Sequence, residues 1–330
     1  MENDGGIRVS VLNLGGVITG IFAPDRKGKY QNIILGYADI NDYLENEAYY
    51  GAVIGRFAGR IYGGAIELDR RVYELERNNL GVNTLHGGPC GWHSKLWEVR
   101  PFEGEKEVGL VLECTSADGE AGFPGEVKAT VKYILNNSNE LYFVVAAETD
   151  KTTVVNVANH TYFNLSGDLE RNILKHKLKI EADQFLELSS FFVPTGKALT
   201  VKETPFDFRA AKEIGQDLEA DHPQLKAAGG YDHPFLFGRE TGRMELMDER
   251  SGRGLTVTTN NPCVVLYTTN FPVARKLYNG RLPEKRMGIC LETQNPPIGV
   301  GGCFREGSIL KPGQVYRRWT RYKFHTGSPG

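Results

Sequence analysis

Polar and apolar positions alternate with a period of two along much of this chain, as in strands that bury one face. Ile7, Val9 and Val11 alternate with polar neighbours, Gly15-Gly16 interrupts the run, and Val17-Ile18-Thr19-Gly20-Ile21-Phe22 begins a second strand. Pro24-Asp25-Arg26-Lys27-Gly28 then has the chemistry of a tight turn. Residues 128–135 and 141–146 flank a polar turn at 136–139 and predict a hairpin. Residues 177–180 and 255–259 alternate in the same way, 264–269 is a β-rich run, and 316–324 reads as a closing strand. Helical periodicity is scarce: residues 210–214 and 217–220 are expected to form a turn or two, and no long apolar stripe at helical spacing occurs. With no βα alternation, no repeat and no Pro- or Ser-rich linker, the pattern predicts one large, mainly antiparallel all-β domain over 1–330, with 326–330 as a loose tail.

Composition agrees with that reading. Glycine is 39 of 330 residues, about 12% against a typical ~7%, and there are 15 Tyr and 16 Phe, which suits many strands joined by many tight turns. A chain this long buries a sizeable core without help from disulfides or a structural metal. The balance of 39 Lys+Arg against 41 Asp+Glu gives a net charge of −2, which excludes a basic nucleic-acid face or a polybasic membrane anchor. No apolar run approaches the ~18 residues of a membrane span, and the acidic start Met1-Glu2-Asn3-Asp4 lacks the order of a signal peptide. Five cysteines with no C-x-x-C point to reduced thiols in a cytoplasmic protein rather than a disulfide framework or a zinc ribbon.

The chain lacks a phosphate loop, a dinucleotide-binding glycine fingerprint, a nucleophile elbow and H-E-x-x-H, so those chemistries lose their usual basis. His86 and His93 lie close in sequence, but without an adjacent carboxylate or cysteine they make a poor metal site. Other polar groups keep unusual company. His86 precedes Gly87-Gly88, where backbone can approach a ligand; His160 ends the apolar run 154–158; Asp232 lies in a glycine-introduced turn; Arg56 and Arg60 sit among small residues. Each of these has a structural reading as a core histidine, a turn-stabilising aspartate or an arginine paired with any surface acid. Glu292 follows Ile289-Cys290-Leu291, a buried-strand pattern, and a carboxylate there requires a partner or a displaced proton affinity.

In this order, GRFAGRI (55–61), LHGG (85–88), NHTYFNL (159–165), GYDHPF (230–235) and LETQ (291–294) resemble the motif series of the aldose 1-epimerases, the galactose mutarotases. Tyr49-Tyr50-Gly51-Ala52 and residues 310–316 resemble the family's flanking segments, so the likeness spans nearly the whole chain. The resemblance implies a large antiparallel β-sandwich of the galactose mutarotase type with an open sugar groove across one sheet. It implies no cofactor and no metal, a small-molecule aldose as partner, and a monomer or homodimer that binds neither nucleic acid nor membrane. Residue by residue, Glu292 matches the general base and His160 the general acid, His86 the second histidine near the ring oxygen, and Arg60 and Asp232 the groups that hold sugar hydroxyls.

The reaction needs that cast. Anomers interconvert when the anomeric hydroxyl loses its proton, the ring oxygen gains one, the C1–C2 bond turns, and the ring closes on the other face. A carboxylate and an imidazole can supply base and acid and exchange roles on closure, and an ordinary histidine titrates close to neutrality. Phe163, Trp92 and Phe271 are candidates for an aromatic platform under the sugar.

The chain also departs from the family pattern. Gly59 stands where Asn usually precedes the arginine, Trp92-His93-Ser94 stands where Phe-Asp-Lys is frequent, and Asn295-Pro296-Pro297-Ile298 lacks the usual Asp. Gly59 therefore predicts weaker or broader sugar selectivity. Three competing functions remain at this stage: a non-catalytic sugar binder or sensor of the same fold, a glycosidase using Glu292 with Asp232, and an epimerase of phosphorylated sugars using Arg56 or Arg275.

Overall fold

The computed structural model describes residues 1–327. Among the described residues, Glu98–Glu103, Glu107–Ser116, Val127–Asn136, Glu140–Thr149, Tyr316–Thr326, Arg253–Thr259, Gly242–Asp248, Lys177–Ile180 and Lys212–Glu213 form, in that spatial order, a nine-stranded sheet. A six-stranded sheet follows the order Tyr162–Phe163, Ile289–Gln294, Cys263–Tyr267, Asp232–Leu236, Gln184–Leu188 and Pro194–Thr200. Every pairing in both sheets is antiparallel. The all-β sandwich expected from the sequence is the fold observed.

The hairpin forms where the alternation placed it: Val127–Asn136 pairs with Glu140–Thr149. The Asn136 side chain closes its turn by accepting from the backbone N–H groups of Ser138 and Glu140. Val131, Tyr133, Phe143 and Val145 from this hairpin join Leu255, Val257, Tyr322 and Phe324 on the inner face of the large sheet. They pack against Phe163, Val264, Leu266, Ile289 and Leu291 of the small sheet. Each such side chain contributes roughly 1.5–3 kcal/mol by leaving water, so this buried layer sets the spacing of the two sheets.

Two expectations fail locally. Residues 210–214 are not helical: Lys212–Glu213 pairs with Lys177 and Leu178 as an edge strand, and Ile214 is buried in the core. The α-helix is instead Pro223–Ala228, where Pro sits in the first turn, the His222 side chain accepts from Gln224 N–H, and Gly229 closes the end in a left-handed conformation. Those cap signals override a weak apolar period. At the C-terminus, Thr326 pairs with Arg253, and Gly327 N–H donates to Gly252 O. Thr326 and Gly327 are therefore not part of the expected loose tail, and its residues 328–330 lie outside the described residues.

Candidate active site

The strand Ile289–Gln294 is buried along its whole length, so both of its faces are covered. Its two-residue period sends Ile289 and Leu291 into the core between the sheets and turns Glu292 and Gln294 the other way, into a cavity of about 470 Å³. Neighbouring strands do the same: Val264 and Leu266 face the core while Val265 and Tyr267 face the cavity, and Asp232 and Pro234 line it from the next strand. The small sheet is therefore the floor. Loops carrying Tyr49, Gly59-Arg60, Asn79, His86, His160 and Phe192 make the walls. Arg60, His86, His160, Asp232 and Glu292, expected from five separate motifs, all line this one cavity.

Short ladders place the wall residues. Arg60 pairs with Leu85 across two brief strands, which brings His86 beside Gly59. His86 N–H donates to Gly59 O at 3.0 Å, and Gly59 N–H donates to His86 Nδ1 at 3.2 Å. That second bond fixes the tautomer, because an accepting Nδ1 in a neutral imidazole leaves the proton on Nε2. His160 lies where Ala158–Asn159 pairs with Val53–Ile54, and its backbone exchanges hydrogen bonds with Gly51 N–H and Ala52 O.

At the floor, His160 Nε2 is 3.5 Å from Glu292 Oε1, with both side chains 5% exposed. Burial lowers His160 to about 3, helped by His93. Burial, reinforced by Asp232 and opposed by Arg60, raises Glu292 to about 8. At neutral pH these shifts favour a neutral imidazole and a protonated carboxyl. This corrects the expectation of a histidine titrating near neutrality: a dry wall disfavours the charged form of either group. His86 is pushed well below its usual range by burial, then by His160, Arg60 and His93, so it faces the cavity as a neutral N–H donor.

Arg60 is held from several sides. Its guanidinium lies 3.5 Å from Asp232 Oδ2, donates through Nε to Asn79 Oδ1 at 3.2 Å, and rests over the Phe192 ring. Burial raises the Asp232 carboxyl, and Arg60 opposes that rise. His86, His160 and Glu292 bring one ligand atom each within 4.8 Å of one another. However, an imidazole whose free nitrogen carries the proton donates rather than ligates, so this donor set suits hydroxyl groups better than a cation.

Other expectations are redistributed. Arg56 is fully buried and donates to the carbonyls of Ser116, Ala117, Pro124 and Gly125; it clamps a loop and does not reach the cavity. Arg275 is enclosed by Asp42, Glu45 and Glu47. Of the three platform candidates, Phe271 lines the cavity, whereas Phe163 and Trp92 are core residues. Tyr49, Asn79, Tyr162 and Tyr267 line it without having been singled out as site residues. Two of them carried a signal: Tyr49 stands just before the first motif, and Tyr162 lies inside NHTYFNL (159–165).

With the geometry established, the relatives are informative. A family model described as aldose 1-epimerase matches residues 1–323. The galactose mutarotase of Sus scrofa is 38% identical over 322 residues, covering 96% of this chain and 91% of that protein. The aldose 1-epimerase of Escherichia coli K12 is 31% identical over 337 residues, covering 98% and 94%. Among solved structures, a galactose 1-epimerase from Lactobacillus acidophilus superposes with a TM-score of 0.89 at 31% identity, covering 99% of this chain and 93% of that one. The antiparallel all-β sandwich is thus a fold shared with a known sugar epimerase. The chain belongs to the aldose 1-epimerase family, isomerases that interconvert the anomers of aldoses.

Proposed function

We propose that this enzyme interconverts the α and β anomers of free aldohexoses such as galactose and glucose. In this reading Glu292 takes the proton of the anomeric hydroxyl and His160 protonates the ring oxygen. His86, Arg60 and Asp232 bind the sugar, His86 through its Nε2–H. The observation that carries the assignment is the buried contact between His160 Nε2 and Glu292 Oε1. The pair holds one proton over a wide pH range, and the reaction needs one proton shared between two groups. A sugar hydroxyl donating to Glu292 favours its ionised form, which moves that proton onto His160 when substrate arrives.

The cavity supports a neutral sugar. Among the described residues Arg60 is the one arginine or lysine in its lining, and Asp232 already faces it, while Glu47 stands at the rim. A phosphate therefore meets no unpaired cation. A glycosidase pairing Glu292 with Asp232 leaves His160 and His86, which line the same cavity, without a role. A simple sugar binder has no use for a buried acid–base pair. We read 1–330 as one domain, supported by a core that runs from Ile7 to Phe324, and as cytoplasmic, supported by five free thiols. Monomer or homodimer remains our expectation for its assembly. Polarimetry of freshly dissolved α-galactose and α-glucose tests the activity: the enzyme accelerates the approach to equilibrium, and a rate equal to that of buffer overturns the proposal.

A further inference from the structure

His86 and His160 come from separate loops, and no hydrogen bond joins their rings among the described residues. They meet edge to face, with ring centres 5.2 Å apart at 85°. One nitrogen of each ring is engaged away from the partner ring, His86 Nδ1 by Gly59 and His160 Nδ1 by the Cys290 thiol at 3.5 Å. His160 Nε2 also faces Glu292 Oε1 at 3.5 Å; these in-plane contacts direct the nitrogens, and the tilt of one ring against the other is left to packing.

Tyr49 supplies packing for both. Its ring centre lies 4.7 Å from that of His86 at 66° and 5.9 Å from that of His160 at 31°. Tyr162 flanks His160 as well, at 5.1 Å and 29°. Beyond Tyr49 is His93, with centres 4.8 Å apart at 79°. His93 is buried, and its Nδ1 has no hydrogen-bond partner among the described residues. Burial lowers it to about 4, so it serves as a neutral aromatic wall.

The backbone also treats Tyr49 as a fixed point. Its φ is +56°, a left-handed conformation that a bulky residue rarely adopts. Such a residue persists where its surroundings hold it, and commonly beside a functional site. Tyr49 N–H donates to Asn46 O at 2.7 Å, Ala52 N–H donates to Tyr49 O at 3.1 Å, and the adjoining Gly51 and Ala52 bond directly to the His160 backbone. One short loop therefore sets the backbone of one histidine and the ring orientation of both.

We propose that Tyr49, backed by His93, is a positioning residue that fixes the mutual orientation of His86 and His160 at the anomeric centre. This rests on the epimerase reading above. The role belongs to the ring rather than the hydroxyl, because both the edge-to-face contact with His86 and the tilted contact with His160 are made by the aromatic ring.

The test compares Tyr49→Phe, Tyr49→Leu and His93→Leu. Tyr49→Leu is expected to lower kcat about 10- to 100-fold, the scale of a small misplacement of reacting groups, with KM changed little; Tyr49→Phe restores most of the rate. His93→Leu, which keeps Tyr49 but removes its wall, lowers kcat several-fold at similar KM and covers the case in which Tyr49→Leu does not fold. Imidazole proton signals of His86 and His160, assigned through His86→Gln and His160→Gln, shift in Tyr49→Leu and hold in Tyr49→Phe. A Phe variant as impaired as the Leu variant, a loss confined to KM, or imidazole signals unmoved by removal of the ring overturns the proposal. The imidazole signals report ring position even if the wild-type chain fails to accelerate mutarotation, so the two failures are separable.

Discussion

The Nε2 atom of His160 lies 3.5 Å from Oε1 of Glu292, and the same dry environment displaces their proton affinities in opposite directions, to about 3 and about 8. The singly protonated pair is thus the dominant form across the interval between those values. A bell-shaped profile reports the pair rather than either residue. We expect kcat/KM for α-galactose to be flat from pH 5 to 7 and to fall above about 8, where the pair loses its remaining proton. Unperturbed groups would instead give an optimum near 5, and a profile of that shape measured by polarimetry excludes this assignment.

Glu292→Gln removes the base without changing the size of the side chain. Positioned acid–base groups contribute about 10²–10⁴-fold, and we expect a loss of that order in kcat with sugar binding still measurable by calorimetry. The same substitution should stabilise the fold as pH rises. The folded pKa of Glu292 is raised, so between the unfolded value of ~4.3 and about 8 the native state holds a proton that the unfolded chain has lost. Relative to the Gln variant, wild-type stability accordingly falls with pH by about 1 kcal/mol per unit through that window, while the buried imidazoles, lowered by burial, contribute the opposite slope to both proteins. Melting temperatures of the two proteins at pH 5 and pH 8 check the sign.

Arg56 and Arg60 are four residues apart, and replacing them should have different consequences. Arg56→Met leaves several buried carbonyls without a donor, which we expect to cost about 3 kcal/mol or more. Arg60→Met leaves the fold nearly as stable but raises KM for galactose and further raises the Asp232 carboxyl, since the cation facing it is gone. Urea denaturation together with steady-state kinetics separates the two. Equal stability losses in both variants would contradict the division of labour.

Gly59 has φ of +83°, and a Cβ there would lie 3.0 Å from Pro297 Cγ and 3.1 Å from Gln294 Nε2. Asparagine is among the side chains best suited to a left-handed backbone, so Gly59→Asn requires only a small yield from those neighbours. It would add an amide to the cavity wall beside Arg60. The expected outcome is sharper discrimination between galactose and glucose, read as the ratio of their kcat/KM values; an unchanged ratio would show that this position does not read the sugar.

A phosphorylated sugar should be a poor substrate, because Arg60 faces Asp232 and Arg275 is surrounded by three carboxylates. We expect kcat/KM for glucose 6-phosphate to lie at least tenfold below that for glucose. Similar values for the two would require a cationic pocket elsewhere.

Local patterning is enough to determine much of this protein. Alternation at 128–146 specifies a hairpin because a one-residue slip would turn every apolar side chain to the wrong face. Glu292 was legible as exceptional for a similar reason: a carboxylate on a strand otherwise suited to burial has to be held by something. Sequence could not decide what held it. Proton affinities depend on how much water and charge surround a group, and those surroundings come from loops far apart in the chain, so only the folded arrangement displaces His160 downward and Glu292 upward. The same holds for the arginines of 55–61. Their spacing is identical in sequence and structure, but long-range packing sends Arg56 into a clamp of carbonyls and Arg60 into the groove. Local sequence determined the strands, turns and unusual residues, because those follow from neighbouring side chains. Tertiary structure decided which polar groups share a dry cavity, because that depends on bringing together residues as distant in the chain as Tyr49 and Glu292.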